Sequence, residues 1–331
     1  MDDANMYEDR IKKVYIELSS ACNLKCDICF RNSWIGEIQG LMSSEVIEKT
    51  YLDLNELKTV ESVMFAGMGE PLLHNEICDL VNKLSHIGIK TEIITNGTLL
   101  TKKISEQLIE AGLSQLWISA DESHIKSSDN DVLIKNINNF NNIRSNRCKL
   151  GLTYVLVNPI LDDLLRIQEF AKFLKADEIN ISQIIPGEFI EKLEYSDSLV
   201  VGIRSVDDLL IQMERKLNYC PFVEEGNVFI KWNGDIVPCM QLLHSSYTYL
   251  FQEKRKVMAY SFGNILENSI YQSWNSEEYK EFRKRVRNFD FPNCTLCNGC
   301  DDRLENRTDC MYNTMPTCGA CLWAQNIARC P

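Results

Sequence analysis

The feature that most constrains this chain is a run of three cysteines near its start, Cys22-Asn-Leu-Lys-Cys26-Asp-Ile-Cys29. The close spacing places three sulfurs on one short loop, where they can hold three corners of a metal site. Thiolates hold iron–sulfur clusters, and a cluster with three protein ligands has one iron that can bind another group. A structural zinc site requires a fourth ligand. The spacing alone leaves three interpretations open: a cluster with an open iron, half of a zinc site, or ordinary buried thiols.

The other cysteines are concentrated in the second half of the chain. Nine of the 14 cysteines lie from Cys220 onward, and only Cys78 and Cys148 separate them from the first group. A disulfide framework is disfavoured, because the cytosol keeps thiols reduced. We interpret Cys78 and Cys148 as incidental core or surface thiols, and the two groups as separate metal-binding regions.

Composition restricts the location and the partners of the chain. It has 331 residues, of which 45% are hydrophobic, and a formal net charge of −12. This length suits a large domain with a smaller one. The negative charge excludes a general nucleic-acid-binding protein, which needs a positive surface for phosphates. No run approaches the roughly 18 apolar residues of a membrane span, and the acidic opening differs from a secretory signal. We therefore predict a cytoplasmic protein.

Strand and helix patterns alternate through the first half. Apolar and β-branched runs predict six strands, at residues 12–18, 62–66, 91–95, 114–120, 150–157 and 178–186. Helical patterns lie between them. The alternation predicts an α/β fold, a partial TIM-like barrel of parallel strands, because six strands fall short of the eight in a closed barrel. The loops at 22–29, 67–71, 96–97 and Asp121 all follow strands and should converge beyond their carboxyl ends.

The second half has a different pattern. Residues 227–239 predict a β-hairpin with an Asn233-Gly234 turn. From Cys294 onward there is no regular periodicity, so we expect metal to stabilise this small segment. We divide the chain into an α/β domain (1–187), a connector (188–218) with a helix at 206–217, and a cysteine-rich domain (219–331).

The four histidines carry no metal-ligand pattern. His74, His86, His124 and His244 are scattered, with no pair four residues apart and no cysteine neighbour. We predict each to be a surface residue or a hydrogen-bonded core residue.

The order of motifs in the first half resembles the radical S-adenosylmethionine (SAM) superfamily over residues 10–190. The shared motifs are the cysteine loop after the first predicted strand, Gly67-Met-Gly-Glu-Pro71 after the second, and Thr95-Asn96-Gly97 after the third. The resemblance implies that the three cysteines of the loop hold a 4Fe–4S cluster whose open iron chelates SAM. Reductive cleavage of SAM would then give a 5′-deoxyadenosyl radical that abstracts hydrogen from a substrate.

The resemblance also implies a set of residues that contact SAM. They are Gly69, Glu70, Thr95, Asn96, Ser119, Asp121, Asn158 and Ile185. Gly69 and Glu70 would receive the ammonium group of SAM. Ser119 and Asp121 lie where family members contact the ribose. Asn158 and Ile185 would flank the adenine. One position departs from the family pattern, since Ile28 stands where an aromatic residue is common.

The second half resembles SPASM domains, which carry auxiliary 4Fe–4S clusters. The resemblance rests on Cys220-x13-Gly234-x4-Cys239, Phe262-Gly-Asn-Ile265, Ser273-Trp274 and Phe282-Arg283. The implied metal ligands are Cys220, Cys239, Cys294, Cys297, Cys300, Cys310, Cys318, Cys321 and Cys330. Two clusters need eight ligands and the late spacing departs from the family, so one or two auxiliary clusters are expected and their ligand pairing stays open. Zinc sites use similar cysteine spacings and stay an alternative.

A narrower resemblance concerns the substrate. The stretches Cys29-Phe-Arg-Asn-Ser-Trp34 and Pro316-Thr-Cys-Gly-Ala-Cys-Leu-Trp-Ala-Gln325 are similar to radical SAM maturases associated with tungsten-containing oxidoreductases of the aldehyde:ferredoxin oxidoreductase type. The resemblance implies that the substrate is that oxidoreductase, its pterin cofactor, or a peptide processed with it. It also implies a low-potential electron donor such as ferredoxin or flavodoxin.

Two alternative functions stay open. One is a radical SAM maturase that installs a crosslink or an oxidation in a ribosomally synthesised peptide. The short stretch before the first predicted strand disfavours a version that recognises a leader peptide. The other alternative is of a different class, a zinc-stabilised cysteine-rich scaffold that only binds partners.

Overall fold

The computed structural model describes residues 10–120, 130–144, 146–156, 161–185, 187, 201–202, 211–212, 217–250, 253–297 and 299–326. The strands are β1 (Lys13–Ile16), β2 (Ser62–Phe65), β3 (Lys90–Thr95), β4 (Gln115–Ala120), β5 (Lys149–Leu156), β6 (Glu178–Gln183), β7 (Val201–Gly202), β8 (Ile211–Gln212), β9 (Asn227–Ile230), β10 (Ile236–Val237), β11 (Ser246–Leu250) and β12 (Glu253–Val257). Eight of them form one sheet in the order β10-β9-β1-β2-β3-β4-β5-β6.

Helices connect the strands of the first half and continue in the second half. They are α1 (Ser44–Glu56), α2 (Ile77–His86), α3 (Lys102–Glu110), α4 (Asn130–Ile143), α5 (Leu161–Phe173), α6 (Pro221–Glu224), α7 (Ile270–Trp274) and α8 (Glu277–Asn288). Side chains before the first turn fix where two of them begin. Ser43 Oγ accepts the Val46 N–H and Thr101 Oγ1 accepts the Ile104 N–H, both at 3.3 Å. The helix α2 buries a stripe of apolar side chains that includes Ile77 and Leu80.

The six predicted strands are present and parallel. From β1 to β6, each strand pairs with the next one in the chain, beginning with Lys13 opposite Ser62. Parallel neighbours need a crossover, and the helices supply it. The sheet is open, with β6 and β10 as its outer strands in the described part of the chain. The predicted partial barrel is therefore confirmed.

The predicted hairpin of the second half extends this sheet. β9 pairs in parallel with β1, placing Asn227 opposite Lys13 and Ile230 opposite Ile16, and β10 pairs antiparallel with β9. Gly234 turns the hairpin with φ +91°, a conformation that favours glycine. All four residues of β9 are buried. The sheet thus has eight strands instead of six, because residues of the second half cover the free edge of β1.

The rest of the second half packs around α8. Tyr279, Phe282 and Val286 of this helix are buried, and Phe262 stacks on Tyr279 at 4.2 Å. After α8 the described chain has only short 3₁₀ turns, at Cys294–Leu296 and Asp301–Leu304. The expected loss of periodicity is confirmed there.

The connector is described at a few residues only. β7 and β8 pair antiparallel, so Ile211 and Gln212 are extended where the sequence predicted a helix over 206–217. Two residues cannot continue a helix when their backbone groups bond across a ribbon. The domain boundaries at 187 and 219 stay a prediction. No helix in the described part of the chain is long and apolar enough to cross a membrane.

Candidate active site

The cysteine loop follows the end of β1. Cys22, Cys26 and Cys29 are all partly exposed, and Cys29 N–H donates to Cys26 O at 3.1 Å. Two donors point at sulfur atoms: Leu24 N–H lies 3.4 Å from Cys22 Sγ, and Arg31 Nε lies 3.4 Å from Cys29 Sγ. Burial raises the pKa of the Cys22 thiol, and the Leu24 N–H opposes that rise. Donors of this kind stabilise thiolates and tune the clusters that thiolates hold.

The glycine-rich loop after β2 contacts the start of the cysteine loop. Glu70 N–H donates to Ala21 O at 2.8 Å. A Cβ atom on Gly69 would lie 2.3 Å from the carbonyl oxygens of both Ser19 and Ala21. Only glycine fits there, because these two backbone segments touch. Gly69 therefore joins the two loops, as predicted for loops that follow neighbouring parallel strands.

Glu70 holds the turn after β3. Its carboxylate is 2% exposed and accepts the Thr95 hydroxyl at 2.7 Å and the Asn96 N–H at 2.9 Å. It also accepts the Leu72 N–H at 3.0 Å. Burial raises the pKa of Glu70, and these three hydrogen bonds oppose the rise. The side chain is thus occupied by protein donors, so its first role is to position the Thr95–Gly97 turn.

Asn96 joins that turn to the cysteine loop. Its Nδ2 donates to Asn23 Oδ1 at 3.0 Å and lies 3.7 Å from Cys22 Sγ. Thr98 completes the network, because its hydroxyl donates to Asn96 Oδ1 at 2.6 Å and accepts from Asn23 Nδ2 at 2.8 Å. Asn23 and Thr98 were missed by the sequence analysis. Their only signal was their position beside the motif residues.

Substituting Glu70 with Gln is expected to destabilise the protein by about 1–3 kcal/mol. Both carboxylate oxygens accept a backbone N–H. Either orientation of the Gln amide therefore places its NH₂ group against a backbone donor. Urea unfolding measures the loss. Glu106→Gln is the matched control, since the interaction of Glu106 in the described part of the chain is an exposed pair with Lys102. The control should change the free energy of unfolding by no more than about 0.5 kcal/mol. A Glu70 variant as stable as this control would contradict the prediction.

The remaining predicted pocket residues have different positions. Ser119 lies near the carboxyl end of β4 and is half-buried. Ile185 follows β6 and packs against the core. Asp121 and Asn158 lie outside the described residues.

A buried ionic network lies beneath the two loops. His244 Nε2 lies 2.9 Å from Glu17 Oε1, and its Nδ1 lies 2.9 Å from Glu37 Oε2. Lys231 Nζ contacts the same Glu37 oxygen at 2.9 Å. Met68 N–H in the glycine-rich loop donates to Glu17 Oε1 at 3.0 Å. His244 and Lys231 of the second half are therefore bonded to the segments on either side of the cysteine loop, and Glu17 links His244 to the glycine-rich loop.

The electrostatics of this network favour a charged imidazole. Burial lowers the pKa of His244, but the hydrogen bonds to Glu17 and Glu37 outweigh it, and the pKa is raised overall. Burial opposes ionisation of Glu37 as well, but its bonds to His244 and Lys231 lower its pKa to about 2. The Trp34 ring stacks on His244 at 4.2 Å. As predicted, His244 is a hydrogen-bonded core residue, but its bridging position was not foreseen.

Four of the late cysteines form one set, in which Cys220 and Cys239 are buried and Cys318 and Cys321 are half-buried. Burial raises the pKa of Cys220 to about 12, and the nearby Cys321 adds to that rise. Burial also raises the pKa of Cys239 and Cys318 well above its ordinary value, and both thiols lie close enough to Cys220 and Cys321 to interact with them. We call Cys220, Cys239, Cys318 and Cys321 the inner set.

The other late cysteines are more exposed, apart from Cys294, which is buried. Burial raises the pKa of Cys294 to about 11, and Cys310 and Cys297 add to the rise. Cys300 stands three positions after Cys297 in the sequence, and Cys297 and Cys310 are exposed. We call Cys294, Cys297, Cys300 and Cys310 the outer set. Cys330 lies outside the described residues. Within those residues, no three His, Cys, Asp or Glu side chains are arranged to hold a single metal ion.

Two known protein families match the parts of the chain that form this site. The radical SAM superfamily matches residues 16–171, and the SPASM iron-sulfur cluster-binding domain matches residues 220–301. The chain carries a radical SAM domain followed by a SPASM domain. Its radical SAM domain binds SAM and a 4Fe–4S cluster, and its SPASM domain binds auxiliary iron–sulfur clusters.

This radical SAM protein is similar to two kinds of characterised relatives. It is 29% identical, over 97% of both chains, to the tungsten-containing aldehyde ferredoxin oxidoreductase cofactor-modifying protein of Pyrococcus furiosus. It is 24% identical to the GTP 3′,8-cyclase of Aquifex aeolicus, over 84% of this chain and 93% of the relative.

Solved structures share the fold. That of anSMEcpe with bound AdoMet and Kp18Cys peptide matches with a TM-score of 0.57 and 15% identity over 95% of both chains. Streptococcus suis SuiB, bound to its precursor peptide SuiA, matches with a TM-score of 0.57 and 18% identity. That match covers 85% of this chain and 69% of SuiB.

The residues of this radical SAM protein suit the groups its family binds. The loop presents three partly exposed thiols with N–H donors on two of their sulfurs. The glycine-rich loop beside it leaves no room for a side chain at Gly69. The two sets of four thiols in the second half match the ligand number of auxiliary clusters.

Proposed function

We propose that this protein is a radical SAM maturase that abstracts hydrogen from a peptide, a protein or a protein-bound cofactor, linked to a tungsten-containing oxidoreductase. The observation that carries the proposal is the hydrogen-bonded junction of the cysteine loop with the Gly69 and Asn96 loops. Similarity to the Pyrococcus furiosus cofactor-modifying protein along 97% of the chain supports the substrate class.

Each residue of the junction has a separate task. Cys22, Cys26 and Cys29 ligate the cluster, and the backbone around Gly69 receives the ammonium group of SAM. Glu70 and Asn96 hold the three loops together, so that the pocket keeps its shape before SAM enters. When bound, the cluster and SAM supply the radical chemistry through a 5′-deoxyadenosyl radical.

The outer residues of the pocket contact the nucleoside part of SAM. Ser119 at the end of β4 and Asp121 just beyond it serve the ribose. Ile185, packed against the core after β6, and Asn158 flank the adenine. These four follow neighbouring parallel strands, which is where α/β sheets bind nucleotides.

The late cysteines hold two auxiliary clusters. The inner set ligates one, and its burial suits a cluster shielded from solvent. The outer set ligates the other, near the surface, where a redox partner can approach. A low-potential donor such as ferredoxin or flavodoxin supplies the electron for SAM cleavage.

The test is SAM cleavage by protein purified without oxygen. We expect about twelve iron atoms per chain, from three 4Fe–4S clusters, and formation of 5′-deoxyadenosine with dithionite. Adding a tungsten-containing oxidoreductase of the aldehyde ferredoxin type, or its released pterin cofactor, should increase the rate at least about tenfold, a barrier change near 1.4 kcal/mol.

Three results would contradict the proposal or part of it. A colourless zinc protein that does not cleave SAM would indicate the scaffold alternative. Cleavage stimulated by a co-encoded precursor peptide, and not by the oxidoreductase or its cofactor, would indicate the peptide maturase. Cleavage that responds to none of these additions would reject the substrate class and keep the radical SAM chemistry.

A further inference from the structure

Two arginines are among the largest fully buried side chains, and one of them lies among the cysteines. Arg255 in β12 is 1% exposed. Its Nε donates to Arg303 O at 2.9 Å and its Nη2 donates to Glu305 O at 3.4 Å. Its Nη1 is buried and has no hydrogen-bond partner in the described structure. A buried guanidinium with an unused donor calls for an anion beside it.

The groups that can supply this negative charge are thiolates. Among the described residues, no Asp or Glu side chain forms an ion pair with Arg255. Burial lowers the pKa of Arg255, and Cys321, Cys318 and Cys294 oppose that effect. Both of its hydrogen bonds go to backbone carbonyl groups, which carry no net charge.

Between them, these three thiols represent both cysteine sets. Cys318 and Cys321 belong to the inner set, and Cys294 belongs to the outer set. The sets touch at Gly319, where an added Cβ would lie 2.9 Å from Cys294 Sγ, and Cys294 N–H lies 3.3 Å from Gly319 O. Arg255 is therefore a buried cation whose charge interacts with thiols of both sets.

We propose that Arg255 is the shared counter-charge of the two auxiliary clusters, and that its Nη1–H group donates to a sulfur at their junction. This rests on the cluster ligands proposed above. Each cluster gains negative charge when it is reduced, and a fixed positive charge stabilises that form. Arg255 therefore raises the reduction potential of the auxiliary clusters, because net charge and hydrogen bonds to sulfur set that potential.

The matched control is Arg283, the other fully buried arginine. It is also 1% exposed, but its guanidinium lies 3.7 Å from the Trp274 ring and its Nη1 donates to Trp274 O at 2.7 Å. The cations that interact with Cys294, Cys318 and Cys321 include Arg255. Substituting Arg283 thus tests the loss of a buried arginine without the loss of the counter-charge.

The experiment uses the full chain with Cys22, Cys26 and Cys29 changed to Ala, so that only auxiliary clusters contribute to the signal. Arg255→Met, Arg255→Lys and Arg283→Met are made in this background. Iron and sulfide are counted, and the reduction potentials are measured by titration followed with electron paramagnetic resonance. Arg255→Met is expected to lower the equilibrium constant for one-electron reduction of the auxiliary clusters at least tenfold. This corresponds to a fall in their reduction potential of about 59 mV or more. Arg283→Met should not shift it, and Arg255→Lys should shift it less than Met.

Each outcome decides the question. Fully loaded Arg255→Met protein with an unchanged potential would overturn the counter-charge. If Arg255→Met loses iron, the iron content of the other two variants decides. Full loading of both Arg255→Lys and Arg283→Met supports the counter-charge role of Arg255. Loss of iron from Arg255→Lys as well overturns that role. A parent protein without auxiliary cluster signals would overturn the proposed ligands themselves, and the role of Arg255 with them.

Discussion

Replacing Cys26 with Ala is expected to reduce the rate of SAM cleavage by more than about 1,000-fold. Enzymes typically accelerate reactions by at least about 10⁶-fold, so a loss of this size is within what the site can contribute. The loop offers three thiols, and a cluster deprived of one of them is not held in place. Cys26 is partly exposed and is not part of the hydrophobic core, so the fold should persist. Formation of 5′-deoxyadenosine is measured by chromatography, and the iron count should fall by about four atoms per chain.

Cys78→Ala is the control for this experiment. Cys78 is a half-buried thiol on α2 that packs against the core, far from the loop in the chain. This variant should lose a little stability and keep both its iron and its SAM cleavage. Retained cleavage in the Cys26 variant would reject the assignment of the loop. Equal loss in both variants would trace the effect to thiol removal in general.

Replacing His244 with Leu is expected to destabilise the protein by about 3–5 kcal/mol. The substitution removes a partner from two carboxylates, Glu17 and Glu37, and leaves Glu17 buried without its counter-charge. Urea unfolding measures the loss. His86→Leu is the control, because the hydrogen bond of His86 in the described part of the chain is an exposed one to its own helix, at Asn82 O. A His244 variant as stable as this control would show that the network contributes little.

The same network predicts how stability depends on pH. The pKa of Glu37 in the folded protein is about 2, below its ordinary value of 4.5, so its contribution is present above pH 4.5 and is lost as pH falls toward 2. The pKa of His244 is raised above 6.5, so its contribution is complete below pH 6.5 and is lost as pH rises through the raised value. The free energy of unfolding should therefore be highest between pH 4.5 and pH 6.5. His244→Leu should abolish its fall on the alkaline side of this range.

The sequence predicted those parts of the site that depend on local pattern. The cysteine loop, the Gly69 loop and the Thr95–Gly97 turn each follow a strand with a clear apolar pattern, and parallel pairing brings such loops together. Glu70 shows the limit of this reasoning. A motif indicates that a carboxylate stands at the site, but only the contacts with Thr95 and Asn96 show how it is occupied.

The features that the sequence did not predict involve residues far apart in the chain. His244 lies between Glu17 and Glu37, and neither spacing nor periodicity relates these three positions. The pairing of β9 with β1 is similar, since a hairpin pattern does not say which edge it will join. Arg255 is one cation in a short charged strand, and its burial depends on the cysteine-rich segment folding over it.

The place of β1 inside the sheet has a consequence for how the protein is made. β1 pairs with β2 on one side and with residues 227–230 on the other. During translation the first two strands leave the ribosome long before residues 227–230 do, and until then one edge of β1 is free to pair with other chains. Domains fold as units while the chain is being synthesised. The sheet that carries the cysteine loop is therefore complete only after residues 227–230 have been synthesised.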